Sequence, residues 1–90
     1  MFAVASYVQY VSDNDGATIL DTRVGQFLVL NRTGAFIWEG LQRGEGFEKI
    51  VEGLAEATGA EARKVEKDTR AFVEGLMNKG FVIENTQGPV

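Results

Sequence analysis

Asp13, Asp15 and Asp21 are the residues whose type and spacing first suggest chemistry, because hard divalent cations take clustered carboxylates. The D-x-D-x-D-G spacing with its distal glutamate is missing, and Asp13-Asn14-Asp15-Gly16 is what a tight hairpin loop needs on its own account. These aspartates are therefore assigned to turn chemistry, and no metal is expected. The chain contains no histidine and no cysteine. That removes imidazole and thiolate ligands, cysteine nucleophiles, disulfides and histidine general bases. With no clustered acid pair either, the chain is expected not to be an enzyme and to need no cofactor.

The glycines at 40, 44, 46, 53, 59, 75 and 80 form no GxGxxG between a strand and a helix and no P-loop, so they are read as helix ends or close helix contacts. Arg63, Lys64, Lys67 and Arg70 could mark a DNA recognition helix. Glu61, Glu66, Asp68 and Glu74 interrupt that row, and 13 acids against 9 bases leave a net charge of −4. A solvated, ion-paired face is the preferred reading and no nucleic-acid partner is expected; a winged-helix DNA-binding protein is the competing class. Trp38 beside Phe36 and Ile37 is read as core rather than as a ligand-stacking ring.

The elements that would position any site follow from periodicity. Ninety residues make one domain, residues 1–90, with frayed ends at 1–6 and 85–90. Residues 4–12, VASYVQYVS, read as a first strand ending at the Asp-Asn-Asp-Gly turn; Ala17–Thr22 is a second, Arg23-Val24-Gly25 a turn, and Gln26–Leu30 a third. At Asn31 the period becomes helical, with Asn31 or Thr33 as the cap. A second helix runs from Phe47 to about Thr58 with Gly59 as its terminator, and a third from about Ala60 to Lys79 with an apolar stripe of Val65, Thr69, Phe72, Val73 and Leu76. Phe81-Val82-Ile83 is either a short terminal strand or an apolar plug. No segment approaches the length of a bilayer span and no signal peptide is evident, so a cytoplasmic protein without a membrane partner is expected. The fold class is α+β: a three-stranded antiparallel meander followed by three α-helices in a winged-helix-like shape.

Gln26-Phe27-Leu28-Val29-Leu30 is apolar on both faces, which a half-wetted antiparallel sheet does not require. Leu28 and Leu30 are assigned to the helices. Phe27 and Val29 are then either covered by Phe2, Val4 or Phe81-Val82-Ile83, or open. The third strand of a meander also has a free edge, able to take an extended peptide as a further strand. About four backbone hydrogen bonds at roughly 0.5 to 1.5 kcal/mol each, with one or two buried side chains at about 1.5 to 3 kcal/mol each, would support roughly micromolar binding.

The run DGATILDTRVGQFLVLNRTGAFIWEGLQRG, residues 15–44, followed by Ile50, Leu54, Val65, Asp68, Phe72, Leu76 and Gly80-Phe81, resembles the PqqD family. The pattern is an acidic-Gly turn, a strand ending in Leu-Asp, a Gly-aromatic strand ending in Leu-Asn, Thr-Gly, Ile-Trp, and a closing V-x-x-D-x-x-x-F-x-x-x-L helix, together covering roughly residues 7–83. The resemblance implies a recognition element for ribosomally made, post-translationally modified peptides, in which the leader of a precursor docks on strand three beside helix three. It implies a leader peptide and a leader peptidase or other modifying enzyme as partners. The branch acting in pyrroloquinoline quinone synthesis with a radical SAM enzyme usually carries Pro-Glu ahead of its third strand, where this chain has Thr22-Arg23-Val24-Gly25. LD-x-x-x-G-x-x-x-x-LN-x-TG-x-x-IW is more similar to the stand-alone leader-binding proteins of lasso peptide pathways, whose leaders share a Tyr-x-x-Pro element. Carried over, the peptide strand pairs with Gln26, Phe27, Leu28, Val29 and Leu30, and Phe27 or Val29 with exposed parts of Val65, Thr69, Phe72, Val73 and Leu76 form the apolar walls, with Asp68 at the flank.

Overall fold

The computed structural model describes residues 2–84. In chain order the elements are β1 (Phe2–Val4), β2 (Val8–Asp13), β3 (Gly16–Asp21), β4 (Gln26–Leu30), α1 (Arg32–Gln42), α2 (Phe47–Thr58), α3 (Ala62–Asn78) and β5 (Val82–Glu84). The expected meander is β2-β3-β4, antiparallel throughout, and the three helices follow it.

Local chemistry explains the boundaries. The Asp13 carboxylate accepts hydrogen bonds from the backbone N–H groups of Asp15 and Gly16 at 2.8 and 3.1 Å, closing the β2-β3 turn as the aspartate reading requires. Asn31, not Thr33, caps α1: its Oδ1 accepts from the Gly34 N–H at 2.8 Å and its carbonyl from the Ala35 N–H at 2.8 Å. Gly59 ends α2 in the left-handed conformation at φ 73°, where a β-carbon would be strained. The third helix starts at Ala62, two residues later than the periodicity suggests, because Ala60 and Glu61 are used to leave the Gly59 turn.

The sheet register decides which side chains face the helices. Ala17, Ile19 and Asp21 of β3 lie opposite Leu30, Leu28 and Gln26 of β4, and Ala17, Ile19 and Leu30 are buried. Leu28 and Leu30 therefore point inward, as assigned. Trp38 has no exposed surface and meets Tyr10 edge-on at 5.9 Å, so it is core. Ile50, Leu54, Val65, Val73 and Leu76 of α2 and α3 complete that core with Phe81 and Val82.

Two expectations about the ends are revised. Residues 2–4 are not frayed: they form β1, which pairs antiparallel with β5 through Phe2–Glu84, Ala3–Ile83 and Val4–Val82. The Ala5 N–H continues the contact by donating to the Phe81 carbonyl at 3.1 Å. Phe81-Val82-Ile83 thus combines both alternatives, since Phe81 and Val82 are buried core and Val82 opens a strand. The expected fray at 85–90 lies outside the described residues.

Candidate functional site

The meander leaves two edges, β2 and β4, and β4 has a groove beside it. The hydrogen-bond alternation of an antiparallel ladder fixes what that edge offers. The Thr22 N–H donates to the Tyr7 carbonyl, one step beyond the Val8–Asp21 pair, so even-numbered residues of β3 bond toward β2 and odd-numbered ones toward β4. Their partners Gln26, Leu28 and Leu30 are consumed in the sheet. Phe27 and Val29 then turn their N–H and C=O groups to the open edge. Their side chains lie on the outer face, 65% and 68% exposed, opposite Leu20 and Thr18. Neither Phe2, Val4 nor the Phe81–Ile83 segment covers them, because β1 and β5 pair with each other in a separate two-stranded sheet.

Beside this edge runs a groove of about 510 Å3, bounded by β4, the first turns of α1, the end of α2 and α3 from Val65 to Phe72. This is within the size range of sites that bury a few side chains of a ligand. Leu28, Val29 and Leu30 line one wall, and Val65, Asp68, Thr69 and Phe72 the other. Those seven expected site residues are brought together. Gln26 and Phe27 lie on the same strand but outside the groove, Phe27 contributing through its backbone. Val73 and Leu76 are corrections: at 0% and 2% exposure they belong to the core. Both fall on the α3 stripe, but Val73 directly follows Phe72 and Leu76 lies one turn beyond it, where the helix packs on the core, and neither lines the groove.

The sequence reading missed Asn31, Thr33, Gly34, Ile37, Leu54, Thr58 and Ala60, which also line the groove. Asn31, Thr33 and Gly34 sit in the Leu-Asn-x-Thr-Gly run and could have been found as neighbours of the strand end. Leu54 and Ile37 carried only a core signal, and they are indeed buried, forming the floor. The groove is apolar at its base and polar at its rim, where Asp68 is 65% exposed and pairs with Lys64 at 3.4 Å. Thr69 is 1% exposed, and its hydroxyl has no hydrogen-bond partner among the described residues.

The two walls are tied together at their far ends. Asp21, buried at the end of β3, receives Arg23 through Nε and Nη2 at 3.1 and 2.9 Å, and also accepts from the Arg23 backbone N–H at 2.9 Å. The Arg23 guanidinium lies 3.7 Å from the centre of the Tyr7 ring, whose hydroxyl donates to the Gly80 carbonyl at 2.7 Å. The connection into β4 is thereby clamped to the chain leaving α3. The Arg23 hydrogen bonds hold the Asp21 carboxyl below the usual aspartate range against the opposing effect of burial, and the same pairing raises Arg23. On the outer side of α3, Arg70 pairs with Glu66 at 3.5 Å and stacks over Phe47 at 4.6 Å, so Lys64 and Arg70, two of the four basic residues of that helix, are ion-paired.

The arrangement can hold an extended chain: backbone groups at Phe27 and Val29, and an apolar trough for alternate side chains. Among the described residues no helix is long and apolar enough to cross a membrane. No curated protein matches the chain. A solved structure of TbiB1 in complex with the TbiA(beta) leader peptide is similar over 94% of this chain and 99% of that one, at 25% identity and a TM-score of 0.88. A lasso peptide synthetase B1 complexed with the leader peptide is similar over 92% and 98%, at 25% identity and a TM-score of 0.84. Residues 16–82 match the family described as Coenzyme PQQ synthesis protein D (PqqD). The α+β chain with its open strand β4 belongs to the PqqD family, as a PqqD-like recognition element.

Proposed function

We propose that this protein is a non-catalytic cytoplasmic adaptor that binds the leader segment of a ribosomally made precursor peptide as an added strand on β4, beside α3. It then hands the precursor to the separate leader peptidase of a lasso peptide pathway. The observation that carries this reading is the pair of outward backbone positions at Phe27 and Val29 on the open edge of β4, with an apolar groove beside that strand. Four backbone hydrogen bonds are available there, and the groove accepts the peptide side chains that point inward. The similar solved chains are B1 proteins complexed with leader peptides, which supports the same ligand class here.

Val29→Pro tests the reading. It deletes an N–H on the open edge and none from the β3-β4 ladder, so the fold should survive. Peptides selected on the wild-type chain from a random linear display library serve as the probe, with the TbiA(beta) leader as a defined comparison. Calorimetry should show at least a tenfold loss of affinity in the variant, with circular dichroism unchanged. Equal affinity in a folded variant would sink strand addition at β4.

A further inference from the structure

Gly34 is a glycine where the backbone does not ask for one. It lies in the first turn of α1, it is not among the residues with positive φ, and alanine is the better helix former. Its N–H supplies the cap bond to Asn31, which alanine would supply equally. Packing is what demands the missing side chain. A β-carbon here would stand 3.1 Å from Phe72 Cζ, 3.2 Å from Phe72 Cε1 and 3.3 Å from Leu30 Cβ. Carbon contacts are ordinarily most favourable at about 3.5 to 4.0 Å.

The partners differ in freedom. Leu30 Cβ is fixed to the strand and its side chain is buried. Phe72 is half-buried, and the crowded atoms are its ring tip, which a rotation of the side chain can move. All three residues line the groove. The bare face of Gly34 therefore lets the Phe72 ring lie against α1 and the end of β4, so that the ring forms a wall of the groove rather than an obstruction.

Resting on the peptide-binding reading, we propose that Gly34 is a positioning residue for the ligand: it sets the resting place of the Phe72 ring and so the width of the groove. With alanine at 34 the ring tip is driven toward the groove space, and the inward side chains of the peptide lose room. The loss belongs to binding rather than to folding, since α1 keeps its cap and gains helix propensity.

The experiment measures affinity for one display-selected peptide in four proteins: wild type, Gly34→Ala, Phe72→Leu and the double variant. Leucine lacks the Cε1 and Cζ atoms that the new β-carbon would meet. Gly34→Ala should weaken binding roughly tenfold in the wild-type background and change nothing further in the Phe72→Leu background, a coupling that a general loss of stability would not produce. Unchanged affinity in folded Gly34→Ala, or an equal loss in both backgrounds, overturns the role of Gly34 and leaves peptide binding standing. If Gly34→Ala does not fold, a folded double variant that binds like Phe72→Leu supports the proposal, and an unfolded one overturns it. Failure to recover any peptide on the wild-type chain overturns the peptide-binding reading and this proposal with it.

Discussion

Thr69 shows how a residue can belong to a site by position and to the core by burial. The residue is 1% exposed and its hydroxyl has no partner among the described residues, in a wall shared with Val65, Asp68 and Phe72. A buried hydroxyl without a hydrogen bond is a desolvated dipole with nothing in return. Thr69→Val keeps the shape and β-branching and removes that dipole. The substitution should raise stability by up to about 1 kcal/mol in urea denaturation. A drop in stability would mean that the hydroxyl has a partner within the fold. Gly16 is the opposite kind of residue, fixed both by its backbone at φ 154° and by contact, because a β-carbon there would collide with the Leu30 carbonyl oxygen across the β3-β4 pair.

At the scale of elements, α3 divides along its length. The stretch from Val65 to Phe72 presents Val65, Asp68, Thr69 and Phe72 to the groove, and from Val73 onward the helix packs Val73 and Leu76 into the core. The division separates two kinds of mutational effect. Leu76→Ala removes a buried side chain from a small core and should cost about 2 to 5 kcal/mol, enough to unfold much of so short a domain near its thermal midpoint. Thermal denaturation checks this, and a midpoint within a degree or two of wild type would place Leu76 outside the core. The strand β4 divides in a different way, by alternation: Gln26, Leu28 and Leu30 bond to β3, while Phe27 and Val29 keep free backbone groups. The apolar run thus has three uses. Inward side chains hold the strand to α1, outward side chains form an exposed sheet face, and the backbone between them offers an edge.

Across the whole molecule, the clamp of Asp21, Arg23, Tyr7 and Gly80 joins the turn into β4 to the end of α3 and so holds the groove's two walls in register. Because the folded carboxyl of Asp21 is held below its ordinary value of 3.8, its contribution is present above the unfolded pKa. That contribution is lost as pH falls through the lower folded value. The thermal midpoint should therefore fall on acidification below about pH 4. Asp21→Asn should lower the midpoint at neutral pH and flatten that acid limb. An acid limb as steep in the variant as in wild type would assign the pH dependence to other carboxylates.

The sequence by itself determined the order of the three meander strands and the three helices, the cap at Asn31 as one of two candidates, the Asp-Gly turn, and the inward assignment of Leu28 and Leu30. Each of these is a local matter of period, turn chemistry or alternation, and the strong patterns of the meander and of α2 and α3 carry it. The open edge was legible too, because a three-strand meander always leaves one on its last strand. The resemblance to the PqqD family came from the spacing of the same residues. Only the tertiary structure decided the rest. The β1-β5 pair joins three-residue strands at opposite ends of the described chain, too short to leave a pattern and too far apart for any local signal. The separation of Phe72 from Val73 and Leu76 could not be read from a helical stripe, since the stripe is the same whether a core or a groove lies opposite. The need for glycine at 34 depends on where the Phe72 ring comes to rest, and that is set by packing between α1, β4 and α3 rather than by any one of them.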